Sequence, residues 1–150
     1  MTFTLFSHVK AKVADMNLTI DQYISIVKNG GSHDKVIYDA RSLLERGNVK
    51  GYKELKETAK AITGSCIIKD GAKSRSAENI DKLNGLMLLD IDTADNEHLP
   101  YDLLKSDPHT YIIHRSFSGK GCVIFVKTSC KSLDQYKEYY QACANYYFKK

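Results

Sequence analysis

Leu86-Met87-Leu88-Leu89-Asp90-Ile91-Asp92 is the stretch that decides how this chain is read. Four apolar residues run straight into two aspartates separated by one residue. An unbroken apolar run of this length, set between turn signals, predicts a central strand buried on both faces. Side chains alternate along a strand, so Asp90 and Asp92 are expected on one face at its carboxyl end. Two carboxylates this close repel each other unless a cation sits between them, which makes the pair a candidate Mg²⁺ or Mn²⁺ site. Aspartate is also common where strands run out into turns, so an acidic turn is the competing reading.

The composition around this stretch is ordinary for a globular protein, with 43% apolar and 27% charged residues. At 150 residues the chain is expected to be one domain, or one domain missing a piece at its C-terminal end, and long enough to bury a real core. No apolar run reaches the length of a membrane span, and the start, Met1-Thr2-Phe3-Thr4-Leu5, lacks the features of a signal peptide. The expectation is therefore a cytoplasmic protein with no membrane partner. Cys66, Cys122, Cys130 and Cys143 are widely spaced and read as reduced thiols, not as zinc ligands or disulfides. A net charge of +4 permits nucleic-acid contact without arguing for it. Lys50, Lys53, Lys56 and Lys60 recur at helical spacing, and Lys69, Lys73 and Arg75 lie in a loop-like segment.

Working outward, Phe3 to Ser7 reads as a short strand followed by a polar connection. Thr19 with Gln22 has the spacing of a capping box and opens a helix that Gly30-Gly31 ends. A second helix fits Asp34 to Arg46, and a third Tyr52 to about Lys60. Ala61 to Ile68 reads as one strand, and residues 69–82 as an exposed loop. Beyond the acids, Leu99 to Lys105 fits a short helix and Asp107-Pro108 a turn. Tyr111 to Ser116 and Cys122 to Lys127 read as strands joined by Phe117-Ser118-Gly119-Lys120-Gly121. Ser132 with Gln135 repeats the capping-box spacing, and Leu133, Tyr136, Tyr140, Cys143 and Tyr147 form a helical stripe expected in the core. Mixed helices and strands, with the acids at a strand end, indicate an α/β or α+β sandwich, with α+β the expected class.

The Ser118-Gly119-Lys120-Gly121 connection has glycines that permit close backbone approach, and its amides together with Lys120 could hold a phosphate. By itself it also reads as an ordinary hairpin turn. The order of the two motifs, Asp-x-Asp and then Ser-x-Ser-Gly-x-Gly, resembles the archaeo-eukaryotic primase superfamily. A closer resemblance is to the VirE N-terminal domain family of mobile-element and phage-like proteins. It is carried by Tyr52-Lys53-Glu54-Leu55-Lys56 to Thr63-Gly64-Ser65, then Asn84 to Asp92, then Ser116 to Gly121. It covers residues 50–150.

The resemblance implies a primase-polymerase-like mixed sheet with flanking helices. It implies metal-dependent nucleotide binding in a mobile-element or phage-type DNA-replication protein. Asp90 and Asp92 match the metal-binding, catalytic acids. Ser116, Ser118, Gly119, Lys120 and Gly121 match the phosphate-side hairpin, and His114 is a further nucleotide-contact candidate on the face of Ser116 and Ser118. The expected cofactor is Mg²⁺ or Mn²⁺, held weakly. The expected partners are a nucleoside triphosphate, single-stranded or primer-template DNA, and a fused or partner helicase domain. Two departures count against catalysis by this chain alone. Cys122 stands where the primase pattern has histidine, and no third acid can be placed. A non-catalytic nucleic-acid-binding module on the same scaffold is the alternative. An Asp-x-Asp phosphatase ranks third, because that pattern usually places Thr where Ala94 stands and here Thr93 follows Asp92 directly.

Overall fold

The computed structural model describes residues 1–30, 33–92 and 100–149. Gly31, Thr93, Ala94 and Leu99, on which parts of the sequence reading fall, lie outside them. Among the described residues, runs of helices and runs of short strands make an α+β arrangement. The strands are distributed over three small sheets. Contacts divide the chain into two compact units, one of Met1–Thr63 with Ile67–Asp81, the other of Gly64–Cys66 with Lys82–Lys150.

In the first unit, β1 (Thr2–Phe6) is the middle strand between β2 (Met16–Thr19) and β3 (Ala61–Thr63), both antiparallel to it. Three helices belong to the same unit: α1 (Ile20–Asn29), α2 (Asp34–Glu45) and α3 (Val49–Thr58). Helix α1 starts where the sequence signals it. The Thr19 side chain accepts from the Gln22 N–H at 3.2 Å, and the Thr19 N–H donates to Gln22 Oε1 at 2.8 Å. That reciprocal pair satisfies amides that the first helical turn leaves without partners. Strand β2 arises from a segment read as a polar connection, because three of its four side chains are exposed and leave no apolar alternation.

The strand expected over Ala61 to Ile68 divides into β3 and β4 (Cys66–Ile68), which lie in different sheets. The division falls at Gly64-Ser65. A Cβ on Gly64 would stand 2.2 Å from a Leu88 side-chain carbon, so only glycine fits this approach. Ser65 Oγ accepts from the Leu88 N–H at 3.2 Å. Strand β4 pairs instead with β5 (Ile80–Leu83), a strand that begins within the segment read as loop and ends one residue beyond it.

The second unit holds the sheet β6-β8-β7, made of β6 (Leu86–Ile91), β8 (Cys122–Lys127) and β7 (Thr110–Arg115), all antiparallel. The acid-bearing strand is thus an edge strand, and β8 occupies the centre. One sheet face carries Met87, Leu89, Cys122, Ile124 and Val126, which pack with Leu104 of α4 (Tyr101–Ser106) and Tyr147 of α5 (Leu133–Phe148). The core side of α5 is rotated from the expected stripe. Tyr136, Tyr139, Cys143, Ala144 and Tyr147 face the cluster, whereas Leu133 and Tyr140 are exposed.

Candidate functional site

Strand β6 ends as its sequence dictates. Leu86, Met87 and Leu89 are buried, Leu88 and Ile91 half-buried, and Asp90 and Asp92 exposed. Asp90 lies within the strand and Asp92 one residue beyond it. Both carboxylates are solvated, so neither carries the cost of an uncompensated buried charge.

Register places Asp90 opposite Val123 of β8, and Val123 opposite His114 of β7. Residues paired directly across antiparallel strands share a face, so Asp90, Val123 and His114 form one row. Two strand spacings put the backbones of Asp90 and His114 about 10 Å apart. His114 Nδ1 donates to the Arg115 carbonyl at 2.8 Å, since a carbonyl oxygen can only accept. Burial pulls the His114 pKa below the ordinary histidine value, opposed by that backbone hydrogen bond and by the charge of Asp90. The imidazole is therefore held neutral near pH 7 while it senses Asp90.

Arg115 and Cys122 lie in the neighbouring row, on the opposite face. The Arg115 guanidinium carbon lies 4.3 Å from the centroid of the Tyr101 ring. Cys122 is fully buried in the apolar cluster, and burial pushes its thiol up to about 11. The residue that stands in place of the expected histidine therefore points into the core, away from Asp90.

The connection from β7 to β8 folds tightly. Gly119 takes a φ of 78° and its N–H donates to the Ser116 carbonyl at 2.9 Å. The Ser116 N–H donates to the Gly121 carbonyl at 3.0 Å. The Lys120 and Gly121 amides donate to Ser118 Oγ and Ser116 Oγ, at 3.3 and 3.1 Å. The two hydroxyls lie 3.1 Å apart. These bonds shape the hairpin, and they also engage the amides of Gly119, Lys120 and Gly121, three of those expected to cradle a phosphate. Lys120 is the exposed residue of this loop, and its ammonium is the cation it offers to an anion.

Ile91 pairs with Cys122, so the hairpin begins where β6 ends. A Cβ on Gly121 would lie 2.2 Å from the Ile91 carbonyl oxygen and 3.3 Å from the Asp92 Cα. The structure thus brings Gly121 against the backbone of Asp92, with Ser116, Ser118, Gly119 and Lys120 in the same short loop. Among the described residues, no group of three or more His, Cys, Asp or Glu side chains comes together in a metal-holding arrangement. No described helix is long and apolar enough to cross a membrane.

Comparison with known families bears on the same segment. The model of the family described as BT4734-like, N-terminal domain, matches residues 54–149. The chain belongs to this family. The match corrects the resemblance drawn from the two short motifs, since the matching family is neither the VirE N-terminal domain family nor a primase family. The physical reason for the error is visible in the BT4734-like segment itself. An acidic strand end beside a Ser/Gly hairpin is an antiparallel pair with a tight turn, a local geometry that many sheets share. The histidine that would have made the pattern specific is replaced by a core cysteine. No curated protein and no solved structure matches the chain.

Proposed function

We propose that the end of β6 and the β7–β8 hairpin bind a nucleotide through a divalent cation. The reading rests on one observation, the approach of Gly121 to the Ile91–Asp92 backbone. That approach brings the hairpin backbone against the strand end that carries the acids. Asp90 and Asp92 would supply two oxygens to Mg²⁺ or Mn²⁺. Such hard cations take six or more oxygen ligands, so phosphates and water would supply the rest. The cation would neutralise phosphate charge. Lys120 would add a point charge, and Ser116 and Ser118 would offer hydroxyls. Two carboxylates alone hold a cation weakly, so the expected activity is coupled binding of metal and nucleotide, without polymerisation.

Titration calorimetry tests this directly. A nucleoside triphosphate is expected to tighten Mn²⁺ binding, and Asp90→Asn with Asp92→Asn to abolish that coupling. Lys120→Ala is expected to weaken nucleotide binding about tenfold while leaving binding of the metal alone unchanged. If nucleotide binding is indifferent to the double aspartate substitution, the reading fails. A second reading, a non-catalytic nucleic-acid-binding module, draws support from the internally bonded hairpin amides. Single-stranded DNA binding without any cation or nucleotide response would favour it.

A further inference from the structure

The sheet that carries the acids also carries a histidine across from them, and its chemistry bears on what the nucleotide must offer. Asp90, Val123 and His114 share one row, with Val123 half-buried between the other two. One step toward the strand end, Gly121 lies against the Asp92 backbone, and its carbonyl accepts from the Ser116 N–H at 3.0 Å. Residues two apart on a strand share a face, so His114 and Ser116 border the face that Asp90 borders on its other side. The Asp90 charge acts on the His114 ring.

The His114 ring is held in one orientation. Nδ1 donates to the Arg115 carbonyl at 2.8 Å, and the ring centroid lies 6.4 Å from that of the fully buried Phe125. A neutral imidazole carries one N–H. With that proton on Nδ1, Nε2 is an acceptor. The ordinary histidine pKa already lies below neutrality, and burial lowers it further here. Phosphate oxygens are acceptors too, so Nε2 repels them and suits a ligand group that donates. A cation at the acids would fix the phosphates beside β6. His114 stands across two strand spacings, about 10 Å from Asp90 between backbones. The donors of a nucleotide are its sugar hydroxyls and base N–H groups, and the sugar is nearer the phosphates. A ligand that spans the row from Asp90 therefore brings a sugar hydroxyl to His114.

We infer, resting on the nucleotide reading above, that His114 accepts a hydrogen bond from a sugar hydroxyl, so that the site selects its ligand by the sugar as well as by phosphate. Calorimetry with Mg²⁺ at about pH 8, where the ring is neutral, tests this on the 150-residue chain. The ligands are a ribonucleoside triphosphate, its 2′-deoxy and 3′-deoxy forms, and inorganic triphosphate. Loss of the contacted hydroxyl is expected to weaken binding about three- to tenfold. Weakening in the 2′-deoxy form names the 2′-hydroxyl, and weakening in the 3′-deoxy form names the 3′-hydroxyl. Equal binding of all three nucleotides overturns the inference. His114→Phe keeps a ring and removes the acceptor, and it is expected to erase the discrimination. Discrimination that survives this substitution overturns the inference. So does a loss of inorganic triphosphate binding as large as the loss of nucleotide binding, because the ring would then serve phosphate. The unsubstituted chain gives a reading that needs no variant to fold. The ¹⁵N resonance of His114 Nε2 is expected to move upfield with the hydroxyl-bearing nucleotide and to stay in place with the form that lacks the hydroxyl. An Nε2 resonance that no nucleotide moves overturns the inference. Failure of the nucleotide reading itself looks different. In that case no triphosphate, the inorganic one included, responds to Asp90→Asn with Asp92→Asn, and the role of His114 falls with it.

Discussion

β8 and β1 are each the middle strand of a three-stranded antiparallel sheet, and each is buried along most of its length. Their interiors differ in kind. The buried positions of β8 are Cys122, Ile124, Phe125 and Val126, all apolar. Those of β1 are Phe3, Leu5 and Phe6, with a fully buried Thr4 among them. Thr4 Oγ1 donates to Asn17 Oδ1 of β2 at 2.9 Å and accepts from the Ile68 N–H of β4 at 3.0 Å. The Thr4 N–H donates to Thr63 Oγ1 of β3 at 3.3 Å. One threonine therefore ties three strands to the middle one. Apolar burial sets how strongly a sheet is held but is tolerant of which neighbour supplies the contact. A buried hydroxyl is not tolerant, because each of its partners must be in place. The β8 sheet is held by quantity of burial, and the β1 sheet by the identity of its partners.

Substitutions in the two strands break this comparison in different ways. Ile124→Ala should have the largest effect, a loss of about 2–5 kcal/mol from removed burial and the cavity left behind. Urea denaturation would read the loss, and hydrogen exchange would place it in the amides of β6, β8 and β7. A cost well under 1 kcal/mol would mean the apolar sheet is not held by packing at this position. Thr4→Val keeps the shape and removes the oxygen. It should cost about 1–3 kcal/mol, because the Ile68 N–H loses its acceptor inside the protein. Thr4→Ser should cost less than Thr4→Val, and the reverse order would show that the methyl group matters more than the hydroxyl.

The smallest effect concerns His114, which lies on the other face of the β8 sheet from its apolar cluster. Its folded pKa lies below the ordinary value of 6.5. Above that value the ring is neutral in both states. Below it the unfolded chain binds a proton that the folded chain resists, so stability falls as pH drops from 6.5 through the folded value. His114→Gln should flatten that part of the stability profile, measured as urea midpoints between about pH 5 and 8. An unchanged slope would assign the pH dependence to other groups.

Much of the fold was legible where a signal is local. The strand Cys122–Lys127 was read with its observed bounds, and α2 differs from its expected span by one residue at the end. Capping shows where local signals stop. Thr19-x-x-Gln22 forms the full capping box, whereas Ser132 with the same spacing makes no side-chain capping bond. Strand β5 was missed because two of its four side chains are exposed charges, leaving no apolar run. Within the candidate site, the Asp-x-Asp strand end and the serine–glycine turn were visible as residues. That four hairpin amides are engaged internally was not, since it depends on the exact closure of the turn.

By itself the sequence determined which segments are strands with apolar runs, where α1 starts, and that two aspartates leave the end of a buried strand. Those features follow from neighbours a few residues apart, through alternation, periodicity and capping. Only the tertiary structure decided that β6 lies at the edge of its sheet, that Cys122 faces the core, and that Gly121 abuts the Asp92 backbone. It also decided that Arg75 rests on Phe6 without a carboxylate partner among the described residues. Each of these depends on which distant segments meet. Apolar runs are interchangeable as partners, so the runs alone do not specify the pairing. The pairing is settled by close approaches such as Gly64 against Leu88 and by buried hydrogen bonds such as those of Thr4.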